Sequence, residues 1–105
     1  MIIRGGENIY PQEVENCLEQ HPAVAEAAVI AVPDEVMGEE VKAVVSLRPG
    51  MKLEAKSLQE FCLSKMAKFK VPRFIEFMEE IPHVSAGKID RKALRGIGNI
   101  EPKGG

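Results

Sequence analysis

Aromatic residues are scarce in this chain, only 5% of it. No strand-like run carries the base-stacking aromatics of a small RNA-binding α+β domain, which makes that the weakest reading of its basic stretches. Cysteine and histidine are scarcer still. Cys17 and Cys62 form no CxxC unit, and His21 and His83 are the only histidines, too few to complete a zinc set. Each cysteine sits among apolar residues at helical spacing, so both are expected as reduced core thiols rather than a disulfide. Apolar runs stay well short of the roughly 20 residues that span a membrane. The start, Met1 to Gly6, lacks the apolar core and small-residue cleavage site of a secretory leader. A soluble, cytoplasmic protein with no transmembrane segment is the expectation.

Positive charge is missing from the first part. Up to Glu40, Arg4 stands alone against nine acidic residues, whereas from Val41 onward thirteen basic residues outnumber seven acidic ones. A net charge of −2 thus conceals a basic second part suited to a phosphate-bearing ligand, while the whole chain is no generic nucleic-acid binder. Its 105 residues, 45% hydrophobic and 29% charged, suit one compact domain. That domain is placed at 1–95, and 96–105, rich in glycine and containing Pro102, is read as a flexible tail.

Periodicity sketches the elements. Pro11 to Gln20 predicts a short helix, with proline in its first turn and Val14, Cys17 and Leu18 on one face, stopped by His21-Pro22. Val24 to Val32 is almost wholly small and apolar, as in a buried strand, and Glu40 to Leu47 predicts a second strand. A second helix is expected from about Glu54 to Met66, with Leu58, Phe61, Cys62 and Met66 inward. Arg73 to Glu79 predicts a third strand, Ile81-Pro82 opens a loop through Gly87-Lys88, and a last short helix covers 91–95. The fold class is α+β, a small sheet of about three strands with helices packed on it.

Few segments carry chemistry on their own. Ser85-Ala86-Gly87-Lys88 is not a phosphate-binding P-loop: Pro82 stands where the first glycine is needed, and Ile89 where Ser or Thr is needed. What is left is a lysine on a glycine-containing loop. Gly96-Ile97-Gly98 fails as a dinucleotide fingerprint, since Glu101 takes the third glycine's place and no strand precedes it. No serine has a histidine at a suggestive spacing. Glu39-Glu40 and Glu79-Glu80 are adjacent, point apart on a strand, and read as loop-edge charge. Gly5-Gly6 is either a plain hairpin turn or a place where a ligand comes close to backbone.

Two segments together name a family. Ile2-Ile3-Arg4-Gly5-Gly6-Glu7-Asn8-Ile9-Tyr10-Pro11-Gln12-Glu13-Val14-Glu15 resembles the opening of the C-terminal domain of adenylate-forming acyl-CoA synthetases. Ile81-Pro82-His83-Val84-Ser85-Ala86-Gly87-Lys88-Ile89-Asp90-Arg91 resembles the closing lysine motif of the same domain. Similarity extends from Ile2 to about Leu94, through His21-Pro22-Ala23-Val24 and Val32-Pro33-Asp34.

The resemblance implies an enzyme, a ligase that joins a carboxylic acid, here a fatty acid, to coenzyme A. ATP converts the acid to an acyl-adenylate with loss of pyrophosphate, and the CoA thiol then displaces AMP. In that family the C-terminal domain rotates between the steps. By position, Lys88 would be the catalytic lysine of adenylation, supported by Gly87 in its loop. Gly5 and Gly6 would line the pantetheine tunnel, and Phe69, Lys70 and Arg73 would contact CoA. An ammonium group suits the first role, being a compact charge for the oxygen anions that build up at phosphorus. The resemblance also implies a large N-terminal adenylation domain as partner, holding ATP, its Mg2+ and the acyl pocket. ATP, AMP and CoA would then be substrates of the full enzyme, none held by this domain alone, and the isolated domain would be inactive. Val84 departs from the family's threonine, Asn8 replaces an arginine of acetate-type relatives, and the hinge residue would precede Met1. A stand-alone, non-catalytic binding module of the same fold is the alternative.

Overall fold

The computed structural model describes residues 1–95 of the chain, so the tail placed at 96–105 lies outside the described residues. A five-stranded sheet forms its centre. The long antiparallel pair β3 (Val24–Asp34) and β4 (Gly38–Leu47) is its spine, in register from Ala27 opposite Val45 to Asp34 opposite Gly38. Their apolar runs are explained by burial on both faces. One face presents Ala27, Val29, Val41, Ala43 and Val45 to the larger core, and the other presents Ala28, Ile30 and Val44 to a smaller one.

Two helices cover the larger face. Helix α1 (Pro11–Glu19) starts at its proline and buries Val14, Cys17 and Leu18. Helix α2 (Ala55–Leu63) buries Leu58 and Cys62, and is shorter than its apolar spacing predicts. Past Leu63 the chain turns into a single 3-10 turn, Lys68–Lys70, so Met66 packs on the core from outside the helix. The smaller face is closed by Ile81 and by Leu94, which lies in helical residues 91–95.

The other edge of β4 is shared. Strand β5 (Phe74–Phe77) runs parallel to it along residues 42–45, and β1 (Ile2–Arg4) joins at Gly38. Outside β1 lies β2 (Glu7–Ile9), antiparallel to it. A separate two-stranded hairpin, β6 (His83–Ser85) and β7 (Lys88–Ile89), stands off the sheet. The α+β layer is therefore as expected, with more strands than about three. The additional strands are two or three residues long, too short for an alternating pattern to declare them.

Candidate functional site

Gly5 and Gly6 form the turn between β1 and β2, at φ of 55° and 88°. Both angles lie in the left-handed region, which explains two consecutive glycines. The Gly5 N–H donates to the carbonyl of Met37 at 2.9 Å, seating the turn on the β3–β4 connection. A Cβ at Gly5 would sit 3.2 Å from Met37 Cε, whereas one at Gly6 would meet no atom of the domain within 4 Å. The turn thus has one face against protein and one open.

Beside it lies a buried carboxylate. Glu40, read from sequence as edge charge, is wholly buried. Arg4 Nε donates to its Oε1 at 2.8 Å, while Arg73 Nη1 stands 3.7 Å from Oε2, too far for a hydrogen bond. Among the described residues Oε2 has no hydrogen-bond partner. Arg4 and Arg73 also line a hollow of about 640 Å³ with Lys56, Lys68, Phe69 and Pro72. The structure therefore brings Phe69 and Arg73 together. Lys70 does not join them, because its ammonium is held by both oxygens of Glu13, at 2.9 and 3.0 Å. Arg4, Lys56 and Lys68 were not among the site residues expected from sequence. Only their basic character hinted at them, and lysines on a helix face are usually just solvated.

Lys88 sits at the opposite edge of the sheet. It opens β7 directly after Gly87, which takes φ of 75° in the β6–β7 turn, and it is exposed. Among the described residues no carboxylate pairs with it. The loop expected here is instead a hairpin, tied at its base by Asp90 N–H to the Pro82 carbonyl at 2.9 Å. Val84 on β6 is 57% exposed and has no hydroxyl to offer.

What holds this hairpin is a set of charges on the free edge of β3. His83 Nε2 lies 2.7 Å from Glu26 Oε2. Arg91 Nη1 lies 2.7 Å from Glu15 Oε2 and donates to the Val29 carbonyl at 2.7 Å. The same Glu15 oxygen accepts the Val29 N–H at 2.8 Å, and Glu19 accepts that of Ala27 at 3.1 Å. Glu15 and Glu19 of α1 are thus spent on strand-edge amides.

Between the two helices, both cysteines are buried and free, as expected. Burial pushes the Cys62 thiol up to about 12, and its hydrogen bond and charge coupling with Cys17 add to the shift. Neither is poised as a nucleophile. Among the described residues no set of three His, Cys, Asp or Glu side chains is gathered to hold a metal, and no helix is long and apolar enough to cross a membrane.

The profile of the AMP-binding enzyme C-terminal domain matches residues 13–88. The chain belongs to that family. It is 48% identical over 95 residues to the mitochondrial medium-chain acyl-CoA ligase ACSF2 of Mus musculus, covering 90% of this chain and 15% of the relative. Among solved structures, a Mycobacterium tuberculosis fatty acyl CoA synthetase superposes with a TM-score of 0.85 at 39% identity, over 92% of this chain and 19% of that one. The amide bond synthetase McbA from Marinactinospora thermotolerans gives 0.87 at 36% identity, over 91% and 19%. The chain spans about a sixth of the length of the curated relatives it matches. What it matches is the C-terminal domain of the AMP-forming acyl-CoA synthetases.

Proposed function

We propose that this domain is the catalytic lid of a cytoplasmic acyl-CoA synthetase, supplying Lys88 to adenylation and the Gly5-Gly6 turn to thioester formation. The observation that carries this reading is the exposed Lys88 amine, presented on a hairpin with no carboxylate partner among the described residues. Such an amine is free to meet a nucleotide held by another body of protein. The relatives' names support an acid substrate of fatty type, medium-chain in the mouse ligase.

In adenylation, a carboxylate oxygen of the acid attacks the α-phosphorus of ATP and pyrophosphate leaves. Negative charge grows on the phosphoryl oxygens, and the Lys88 ammonium stabilises it electrostatically without moving a proton. ATP, the Mg2+ that accompanies it and the acid are left to the large N-terminal domain. For the second step the open face of Gly6 turns inward. With no side chain there, the pantetheine arm reaches the acyl-adenylate, and the thiol sulfur displaces AMP. Arg73, Phe69 and the basic hollow around them fit the phosphates and adenine of CoA, and Lys70 contributes once it leaves Glu13. Alone, the domain lacks the acyl pocket and is inactive.

The test uses the full-length enzyme carrying this chain. Lys88→Ala is expected to slow adenylation by about 10²–10³-fold, the usual scale for deleting one positioned charge. Conversion of a supplied acyl-adenylate to acyl-CoA should be unchanged. Equal loss in both half-reactions, or loss in neither, overturns the assignment.

The likeness to an amide bond synthetase favours a second reading of the acceptor step, in which an amine replaces the thiol. Supplying CoA and simple amines in parallel to the same acyl-adenylate, and identifying the product, separates the two.

A further inference from the structure

A long lysine on a surface hairpin samples many positions unless something fixes the hairpin's direction. Displacement by about 1 Å can cost about 10²-fold in rate, so a reacting lysine needs a rigid mount. Lys88's own side chain provides none. Its mount lies three residues on, at Arg91.

We propose that Glu15 and Arg91 are positioning residues for Lys88: a clasp that sets the direction in which the lysine leaves the domain. The proposal rests on the adenylation role of Lys88 stated above. Three groups converge within hydrogen-bonding distance: the Glu15 carboxylate, the Arg91 guanidinium, and the N–H and carbonyl of Val29. Glu15 is 3% exposed and lies on α1, within the larger core's helix. The clasp therefore couples the lysine hairpin to the elements that bury the larger core, through a strand edge and a helix at once.

Nearby bonding carries that rigidity to Lys88. Asp90 N–H binds the Pro82 carbonyl, and Asp90 Oδ1 accepts the Ala93 N–H at 3.1 Å, capping helical residues 91–95. Leu94 anchors those residues in the smaller core. The Pro82 tie and the Arg91 clasp thus fix the base of the hairpin whose turn is at Gly87. At the hairpin's other end, the His83–Glu26 contact is about one-third exposed on each side and holds less firmly.

Both contacts come from Nη1, at the far end of a planar guanidinium whose orientation they fix. A lysine ammonium ends nearer the backbone and rotates freely, so it does not hold the same direction. The experiment compares Arg91→Lys, Glu15→Gln and Lys88→Ala in the full-length enzyme. Both half-reactions are followed, with kcat and KM for ATP and acid, and with thermal melting as a control on folding.

Arg91→Lys is expected to lower adenylation kcat by at least about tenfold, with KM values within about twofold and the thioester step unchanged. Glu15→Gln, which keeps shape and loses charge, should give the same pattern, more weakly. Were the clasp only structural, both half-reactions would fall together with the melting temperature, and that result overturns the proposal. So does full adenylation activity in Arg91→Lys while Lys88→Ala is dead. Full activity in Lys88→Ala overturns the lysine's own role first, and the clasp's purpose with it.

Discussion

Gly6 offers a way to separate folding from chemistry at a single residue. A methyl group there meets nothing within the domain, so its effect on the fold is confined to the left-handed backbone, about 1–2 kcal/mol. Gly6→Ala in the full-length enzyme should leave adenylation intact and slow thioester formation by tenfold or more. Half-reaction assays check this directly. Gly5→Ala is expected to cost more stability, because its methyl also presses on Met37. Cys62 gives a second residue-level signature. Its thiol ionises near 9 when the chain is unfolded but near 12 when folded, so the folded state retains the proton in between. Stability should be unaffected below about pH 9 and fall steadily as pH rises from about 9 towards 12. Denaturant melts across that window check it, and Cys62→Ala should flatten the slope.

Among the elements, the junction of β1 with β4 depends on charge as much as on pairing. Only Arg4 and Gly38 are in register there, and the contact is reinforced by Arg4 to Glu40 and by the Ile3 N–H to Glu39 at 2.8 Å. Removing one partner of a buried pair strands the other charge, at about 3–5 kcal/mol. Arg4 is partly exposed, which puts Arg4→Ala near the low end, about 3 kcal/mol. A lower denaturation midpoint at constant slope checks that figure. This junction also marks where sequence reading stops. The helices, the spine strands and β5 were legible because apolar spacing over several turns or pleats has few other causes. Glu40 was not, since its neighbour Glu39 is half-exposed and nothing local distinguishes them. Its burial depends on Arg4 and Arg73, which only the folded topology brings near. The Glu15–Arg91 clasp was hidden for the same reason. The roles of Lys88 and Gly5-Gly6 came through the family resemblance. A hairpin turn was one of two readings of Gly5-Gly6, and the Lys88 hairpin emerged only in the structure.

For the whole molecule, the two candidate sites hang from opposite edges of one sheet. Gly5 meets the β3–β4 turn at Met37, while the Lys88 hairpin is fastened near Glu26 and Val29, towards the other end of β3. A single rigid body cannot present both to the same small target at once, which fits a domain that works in two orientations. The doubly covered spine should be the last part to open. Amide hydrogen exchange is expected to be slowest at Ile30 and at Lys42 to Val45, and faster in the exposed residues 84–87. Uniform protection across both regions would contradict this hierarchy. In the proposed two-orientation cycle the domain would spend time undocked. Free strand amides then invite a foreign strand to add on. On β3 those of Ala27 and Val29 are already occupied by Glu19 and Glu15. Those two positions are closed to an added strand, so an undocked copy offers a shorter template along this edge.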